Sequence, residues 1–179
     1  KKKLTEAQYS LNHDFLTGAY NRRYFEEQVR SFATVQDLSD SRSVMMILDI
    51  DYFKKINDKY GHDIGDFVLK ECVHTIKKLF ARESDIVARL GGEEFSIFLP
   101  DYTIEMAVKK ATEVLETIQK QVFVQGEHQI KFTVSLGISE WRSGDQFITI
   151  YKRCDQALYE AKNSGRNKFV VSEKLKVAS

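Results

Sequence analysis

The sequence lacks an excess of either charge, long apolar runs and, with two exceptions, cysteine. Its 27 lysines and arginines are balanced by 26 acids, so the composition gives no support for a polybasic membrane arm or for binding a nucleic acid polymer. No apolar run approaches the length that spans a bilayer, and the first residues do not show the pattern of a signal peptide. Cys72 and Cys154 both fall on the apolar stripes of predicted helices, which indicates buried free thiols in a reducing compartment and no disulfide.

What the chain does contain is enough apolar sequence for a real core. Hydrophobic residues make up 42% of the 179 positions and charged residues 30%, as in soluble globular proteins of one domain with a short extension. We expect residues 1–13 to end a connecting helix, residues 14–174 to form the main domain and residues 175–179 to be a tail. Because Lys1 is not a methionine, we expect the chain to be a fragment of a longer protein.

The apolar periodicities predict alternating strands and helices. Residues 44–48 are continuously apolar, which is typical of a strand covered on both faces, and residues 39–43 before them form a polar loop. Asn21 is predicted to cap a helix that begins at Arg22, and Thr103 to cap a long one. Residues 52–59 are predicted to form a short helix that Tyr60 and Gly61 stop, and residues 57–58 and 62–66 a polar bend in which Asp63 or Asp66 caps the next helix.

Two hairpins complete the pattern, one turning at residues 91–94 and one joining strands 122–124 and 130–138. Trp141 is expected to be a packing residue in a loop, followed by a helix at residues 146–163 that Gly165 stops. These elements predict an α+β fold with a central mixed, mostly antiparallel sheet flanked by helices.

The segment GGEEF at residues 91–95 is the most distinctive stretch. Two glycines between strand-like runs are typical of a tight turn and leave room for a bulky ligand, because glycine tolerates positive φ and has no side chain. Glu93 and Glu94 at its tip repel each other, so a cation or a reaction must compensate them. An ordinary exposed turn with solvated acids is the alternative.

A second acidic position follows the buried strand. Asp49 and Asp51 lie two residues apart, so they point to the same side of an extended segment, although Asp51 could instead cap the next helix. If the strand and the hairpin adjoin, three or four carboxylates converge. Such a set favours Mg²⁺ over Zn²⁺ because it contains no Cys or His, and two Mg²⁺ ions can clamp the attacking and leaving oxygens of a nucleotidyl transfer.

Cations and polar groups suited to a nucleotide flank these acids. Asn57 and Asp66 are hydrogen-bonding residues of the kind that recognise the edge of guanine. The cations available for phosphates are Lys54, Lys55, Lys162 and Arg166.

At this point the sequence resembles the GGDEF-domain diguanylate cyclases, in the variant with Glu as the third signature residue. The resemblance extends from about residue 14 to residue 169, and its specificity comes from many short motifs in one order. These are DFLTG (14–18), NRR (21–23), DIDYFK (49–54), IND (56–58), GH (61–62), GD (65–66), RLGGEEF (89–95), TVSLG (133–137), DQALY (155–159), AK (161–162) and GRN (165–167).

The resemblance implies a palm-like fold, as in nucleotide polymerases and class III cyclases, and the reaction 2 GTP → cyclic di-GMP + 2 pyrophosphate. It implies that Asp49, Glu93 and the backbone carbonyl of Ile50 hold Mg²⁺, with Mn²⁺ as an alternative ion. Glu94 would help with the second ion, and Glu93 would also accept the proton of the 3′-hydroxyl. Lys54 would stabilise charge in the transition state.

The same resemblance implies the substrate contacts and the catalytic unit. Asn57 and Asp66 would read guanine, with His62 nearby. Each 3′-hydroxyl must attack the other GTP, so the active unit would be a homodimer, controlled by an N-terminal regulatory domain of the parent chain. We expect a cytoplasmic location, with membrane anchoring of the parent left open. The terminal phosphates would be held by Lys162, Arg166 and the amides of Tyr52 and Phe53.

Arg82 and Asp85 match the RxxD pattern of the family's inhibitory site, so cyclic di-GMP is expected to act there as an inhibitor as well as a product. A solvated connector with a local ion pair is the alternative. For the whole domain, the alternatives are a catalytically inactive receptor for GTP or cyclic di-GMP, another palm-fold cyclase or polymerase fragment, and a dimerisation module.

Overall fold

The computed structural model of the chain describes residues 5–36 and 42–173. Helices and strands alternate along these residues, as the periodicities predict. In chain order they are α1 (Glu6–Asn12), α2 (Arg22–Gln36), β1 (Ser43–Ile50), α3 (Phe53–Tyr60), α4 (His62–Leu79), β2 (Ile86–Gly91), β3 (Glu94–Pro100), α5 (Ile104–Lys120), β4 (Phe123–Gln125), β5 (His128–Ile130), β6 (Val134–Glu140), α6 (Phe147–Asn163) and β7 (Phe169–Val171).

Five strands form the central sheet in the order β2-β3-β1-β6-β7. The pairs β2–β3, β3–β1 and β1–β6 are antiparallel, and β6–β7 is parallel. Strands β4 and β5 form a separate two-stranded hairpin. The predicted mixed, mostly antiparallel sheet is therefore confirmed, with β1 at its centre.

Helices cover both faces of this sheet. Every residue of β1 is buried, and its side chains alternate: Met46 and Leu48 pack on the cluster that contains α4 and α5, whereas Met45 and Ile47 pack on α2 and α6. This two-sided burial explains why the strand is continuously apolar up to Asp49. Cys72 and Cys154 are buried free thiols in the two different clusters, as expected.

Helix α6 lies unusually close to β6, at Gly137. A Cβ atom at this position would lie 2.0 Å from the carbonyl oxygen of Cys154 and 2.4 Å from the amide of Leu158. Since these are backbone atoms, only glycine permits this approach. The close packing fixes where the side chains of α6 reach the sheet.

Two of the predicted helix caps, Asn21 and Thr103, are confirmed. The Asn21 side chain accepts a hydrogen bond from the Tyr24 amide at 2.9 Å, and Thr103 accepts one from the Met106 amide at 3.2 Å. Trp141 is 8% exposed and packs edge-on against Phe98, so it is a packing residue.

Two sequence-based boundaries are wrong. The short helix predicted at 52–59 is present as α3, but the polar bend at 57–58 and 62–66 is not: Gly61 alone, with φ 88°, reverses the chain into α4, so neither Asp63 nor Asp66 is its cap. Residues 130–138 are not one strand either. The chain leaves strand geometry between Ile130 and Val134, because Thr133 bonds to Asp51 through its carbonyl and its hydroxyl.

Other boundaries differ little. The predicted polar loop at 39–43 and the tail at 175–179 lie mostly or wholly outside the described residues, although Ser43 already belongs to β1. Within residues 5–36 and 42–173, none of the helices combines the length and apolar character needed to cross a membrane.

Candidate active site

The end of β1 and the β2–β3 hairpin meet at one edge of the sheet. Asp49 on β1 lies directly opposite Glu94, the first residue of β3, and the amide of Ile50 donates to the carbonyl oxygen of Glu93 at 3.4 Å. Asp49 is only 6% exposed. The sheet register therefore brings together the two acidic segments that the sequence separates by more than forty residues.

Glu93 lies in the hairpin turn, so the alternation of side chains along a strand does not fix the direction of its side chain. Gly91 and Gly92 have positive φ angles of 151° and 51°, and the β2–β3 register shifts between Arg89 and Gly91. Glu93 lies in the turn, so it is not constrained to the face opposite Glu94 as a regular strand would require. An added Cβ at either glycine would meet no atom within 4 Å, which leaves open space above the turn.

Arg89 ties this turn to the beginning of the domain. Its Nε donates to the carbonyl oxygen of Gly92 at 2.9 Å, and its Nη1 contacts the Asp14 carboxylate at 3.2 Å. Burial acts to raise the pKa of Asp14, but hydrogen bonds from Thr17 and the charge of Arg89 hold that pKa below its ordinary value. In the sequence, Asp14 and Arg89 stand out only as motif positions; in the structure, one guanidinium bridges the two motifs.

The electrostatics of Asp49 indicate a shortage of positive charge. Burial raises the pKa of the Asp49 carboxyl to about 6, and the charges of Glu93 and Glu94 add to this rise, although the Lys162 ammonium contacts Asp49 Oδ2 and opposes it. An all-oxygen set with excess negative charge is what a hard divalent cation requires. The residues present therefore fit Mg²⁺.

The acids are close, but they are not arranged as a finished metal cage. Across the described part of the chain, no three side chains of Asp, Glu, His or Cys are grouped so that they could hold an ion. Lys162 contacts Asp49, and the Tyr151 hydroxyl donates to Glu94 Oε1 at 2.8 Å. The backbone thus brings the two acidic segments together, as predicted, but the side chains of three or four carboxylates do not converge on one point in the described residues.

Asp51 does not take part in this group. It is 4% exposed, and its carboxylate accepts hydrogen bonds from Thr133 Oγ1 at 2.6 Å, Ser135 Oγ at 2.7 Å and the Asn167 amide at 3.0 Å. The alternative prediction that Asp51 caps α3 is wrong as well, because Tyr52 is the cap residue and no side chain bonds there. Asp51 instead joins β1 to β6 and to the segment after α6.

The residues expected to hold phosphates lie around the start of α3. Lys54 is exposed on α3, and Tyr52, in left-handed conformation with φ 55°, precedes Phe53, the first residue of that helix. The Arg166 guanidinium lies 4.5 Å from the centre of the Tyr52 ring. Lys162, in the last turn of α6, and Arg166, on the segment between α6 and β7, are both half-buried.

The residues expected to read guanine lie between α3 and α4. Asn57 Oδ1 is buried without a hydrogen-bond partner among the described residues, and a Cβ at Gly65 would lie 1.8 Å from it. His62 and Asp66 on α4 are exposed. An unsatisfied buried acceptor is costly, but Oδ1 packs against Gly65, so Asn57 must rotate before it can accept from a ligand with N–H donors, such as guanine.

Arg82 and Asp85 lie at the opposite end of the β2–β3 hairpin, roughly 20 Å from Glu94 if β3 is extended. Arg82 binds Asp85 at 2.7 Å, donates to the carbonyl oxygen of Pro100 at 2.9 Å, and stacks 4.7 Å over the ring of Tyr102. The Asp85 side chain is 2% exposed. The local ion pair expected in the alternative interpretation is present.

The geometry invites comparison with known proteins. The family model described as "Diguanylate cyclase, GGDEF domain" matches residues 11–168. This chain belongs to the GGDEF-domain family. Diguanylate cyclase DgcM of Escherichia coli is 36% identical over 178 residues, which cover 96% of the chain and 41% of DgcM.

Solved structures agree with the family assignment. The GGDEF domain of DgcB from Caulobacter crescentus, in complex with c-di-GMP, has a TM-score of 0.89 at 26% identity and covers 97% of this chain and 100% of that chain. The active GGEEF domain of a diguanylate cyclase from Vibrio cholerae has a TM-score of 0.78 at 33% identity and covers 86% of this chain and 97% of that one. The predicted palm-like scaffold of this GGDEF domain is confirmed. The chain spans less than half the length of the curated relatives it matches.

Proposed function

We propose that this GGDEF domain is a diguanylate cyclase that condenses two GTP into cyclic di-GMP and two pyrophosphates. The observation that carries the proposal is the register of β1 against β3, which sets Asp49 opposite Glu94 and bonds Ile50 to Glu93 in the adjoining turn. Family membership and the likeness to an active GGEEF domain support the same reaction.

In this proposal, Asp49, Glu93 and the carbonyl of Ile50 hold Mg²⁺ or Mn²⁺, and Glu94 supports a second ion. When bound, the ions would stabilise the charges on the attacking and leaving oxygens. Glu93 accepts the proton of the 3′-hydroxyl, for which its place in an open turn is suitable. Lys54 stabilises the negative charge that develops on the phosphate.

Substrate binding divides between the two sides of α3. Asn57, with its unpartnered Oδ1, and Asp66 would accept the N–H donors of guanine, with His62 at the rim of that site. The terminal phosphates would meet the cations and amides at the start of α3. These are Lys162, Arg166 and the backbone N–H groups of Tyr52 and Phe53.

The reaction requires two copies of the domain. Each GTP supplies a 3′-hydroxyl that attacks the α-phosphate of the other GTP, and one chain offers one set of these residues. The catalytic unit is therefore a homodimer of facing domains, in the cytoplasm where GTP is available. An N-terminal regulatory domain of the parent chain would control this encounter through α1.

Product inhibition is a further part of the proposal. Arg82 is exposed enough to stack on guanine or bind a phosphate of cyclic di-GMP, and its side chain is 40% exposed. Because Arg82 is already paired with Asp85, cyclic di-GMP must compete with this ion pair to bind Arg82. No nucleic acid polymer is involved.

The test is incubation of the chain with GTP and Mg²⁺ at high protein concentration, followed by chromatographic identification of the product. Cyclic di-GMP should form, and Glu93→Ala should abolish it. Glu127→Ala is the matched control, because Glu127 also follows a glycine in an exposed hairpin turn, between β4 and β5. Binding of GTP without turnover, even by two domains fused as a dimer, would refute the cyclase and favour the receptor.

A further inference from the structure

Tyr151 is held beside the acidic group by contacts on several sides. It lies on α6, where its ring stacks on Phe147 with 5.7 Å between centroids, and the Arg22 guanidinium lies 5.7 Å from the ring centre. Its hydroxyl donates to Glu94 Oε1 at 2.8 Å. The ring has little freedom to turn away, so the direction of this hydrogen bond is set by the packing of α6.

The two oxygens of Glu94 are thereby made unequal. Oε1 accepts from Tyr151, whereas Oε2 has no hydrogen-bond partner within residues 5–36 and 42–173. Glu94 stands opposite Asp49 on the neighbouring strand, where like charges repel and an unrestrained carboxylate would rotate away. Burial raises the pKa of the Tyr151 hydroxyl far above its ordinary value, and Glu94 adds to the rise, so the group stays a donor at neutral pH.

We propose that Tyr151 is a positioning residue for the metal-binding acids: its hydroxyl fixes Glu94 Oε1 so that Oε2 remains available to a divalent ion. This inference rests on the proposed function, since it assumes that Glu94 contributes to an ion site. Partners that orient a ligating side chain typically contribute about 10- to 100-fold to metal affinity.

The test measures Mn²⁺ binding by electron paramagnetic resonance in the presence of 3′-deoxy-GTP, which binds but cannot attack. Tyr151→Phe, which removes one oxygen and keeps the stacked ring, should raise the dissociation constant of Mn²⁺ about 10- to 100-fold. Tyr159→Phe is the matched control, because Tyr159 is on the same helix and 63% exposed, and it should bind as the wild type does. Tyr151→His, which retains an aromatic ring with a donor, should recover part of the affinity.

A second measurement separates positioning from a general effect on packing. In a Glu94→Gln background the carboxylate is already absent, so adding Tyr151→Phe should change Mn²⁺ binding by less than about twofold. An equal loss in both backgrounds, or wild-type affinity in the single Tyr151→Phe variant, would overturn the inference. If the wild-type chain itself binds no Mn²⁺ and forms no cyclic di-GMP, the proposed function fails and the inference fails with it, whatever the variants show.

Discussion

Replacing Asp49 by Asn should stabilise the metal-free domain while it abolishes cyclase activity. Asp49 is nearly buried and faces two further acids, and among the described residues only Lys162, itself partly exposed, compensates its charge. A neutral amide of the same shape removes the cost of the buried charge and can still accept from Lys162. The substitution therefore separates the demands of folding from those of ion binding.

The expected magnitude follows from the pKa of Asp49. Its rise from 3.8 to about 6 corresponds to about 3 kcal/mol of unfavourable free energy for the ionised carboxylate in the folded state. This figure already includes the Lys162 contact, because that contact lowers the same pKa. A gain of about 3 kcal/mol should raise Tm by roughly 6–12 °C in a domain of this size.

The pH dependence has a defined sign. Because the folded-state pKa is raised, the wild type loses stability as pH rises from about 4 to about 6, and the loss is complete above that range. The stability advantage of Asp49→Asn should therefore vanish near pH 4 and reach its full value at pH 7–8. Urea unfolding monitored by circular dichroism in EDTA measures it, with exposed Asp58→Asn as the control.

Added Mg²⁺ should remove most of the stability advantage of Asp49→Asn. An ion at 100 times its dissociation constant stabilises the wild type by about 2.7 kcal/mol and has little effect on Asp49→Asn. Equal or lower stability of Asp49→Asn in EDTA at pH 8 would refute the claim that the folded domain keeps a costly carboxylate at this position for the sake of an ion.

Two further predictions concern arginines. Arg89→Gln should release the turn at Gly92 and so lower the rate of cyclic di-GMP formation about 10- to 100-fold. Arg30→Gln, at an exposed position of α2, should leave the rate unchanged, and an equal effect of both substitutions would contradict the positioning role of Arg89. Arg82→Ala should raise the cyclic di-GMP concentration needed for half-inhibition at least about tenfold without changing the uninhibited rate. Glu83→Ala is the control, and unchanged inhibition in Arg82→Ala would show that Arg82 has a structural role only.

The sequence predicted the elements that depend on local pattern. The apolar run of β1 and the two glycines at 91–92 require a central strand and a tight turn, so the neighbourhood of Asp49, Glu93 and Glu94 could be anticipated. Family motifs then supplied the residue roles, which composition and spacing alone could not assign.

The contacts that the sequence did not reveal join residues far apart in the chain. In the sequence, Tyr151 falls at helical spacing with the apolar residues of the helix predicted at 146–163, and only the fold shows that its polar tip reaches Glu94. The role of Asp51 was missed for the same reason, because its partners Thr133, Ser135 and Asn167 follow more than eighty residues later. The alternation of apolar and other residues at 130–138 likewise continues across Thr133, so it did not reveal the break in the strand there.

The approach of α6 to Gly137 has a mechanical consequence. One helix, α6, carries both Tyr151, which contacts Glu94, and Lys162, which contacts Asp49. The position of α6 along the sheet therefore determines both contacts at once. A shift of α6 along its axis by one residue, about 1.5 Å, would lengthen one of these contacts and shorten the other. Because Gly137 has no side chain, α6 packs closely on β6, and this close packing opposes such a shift.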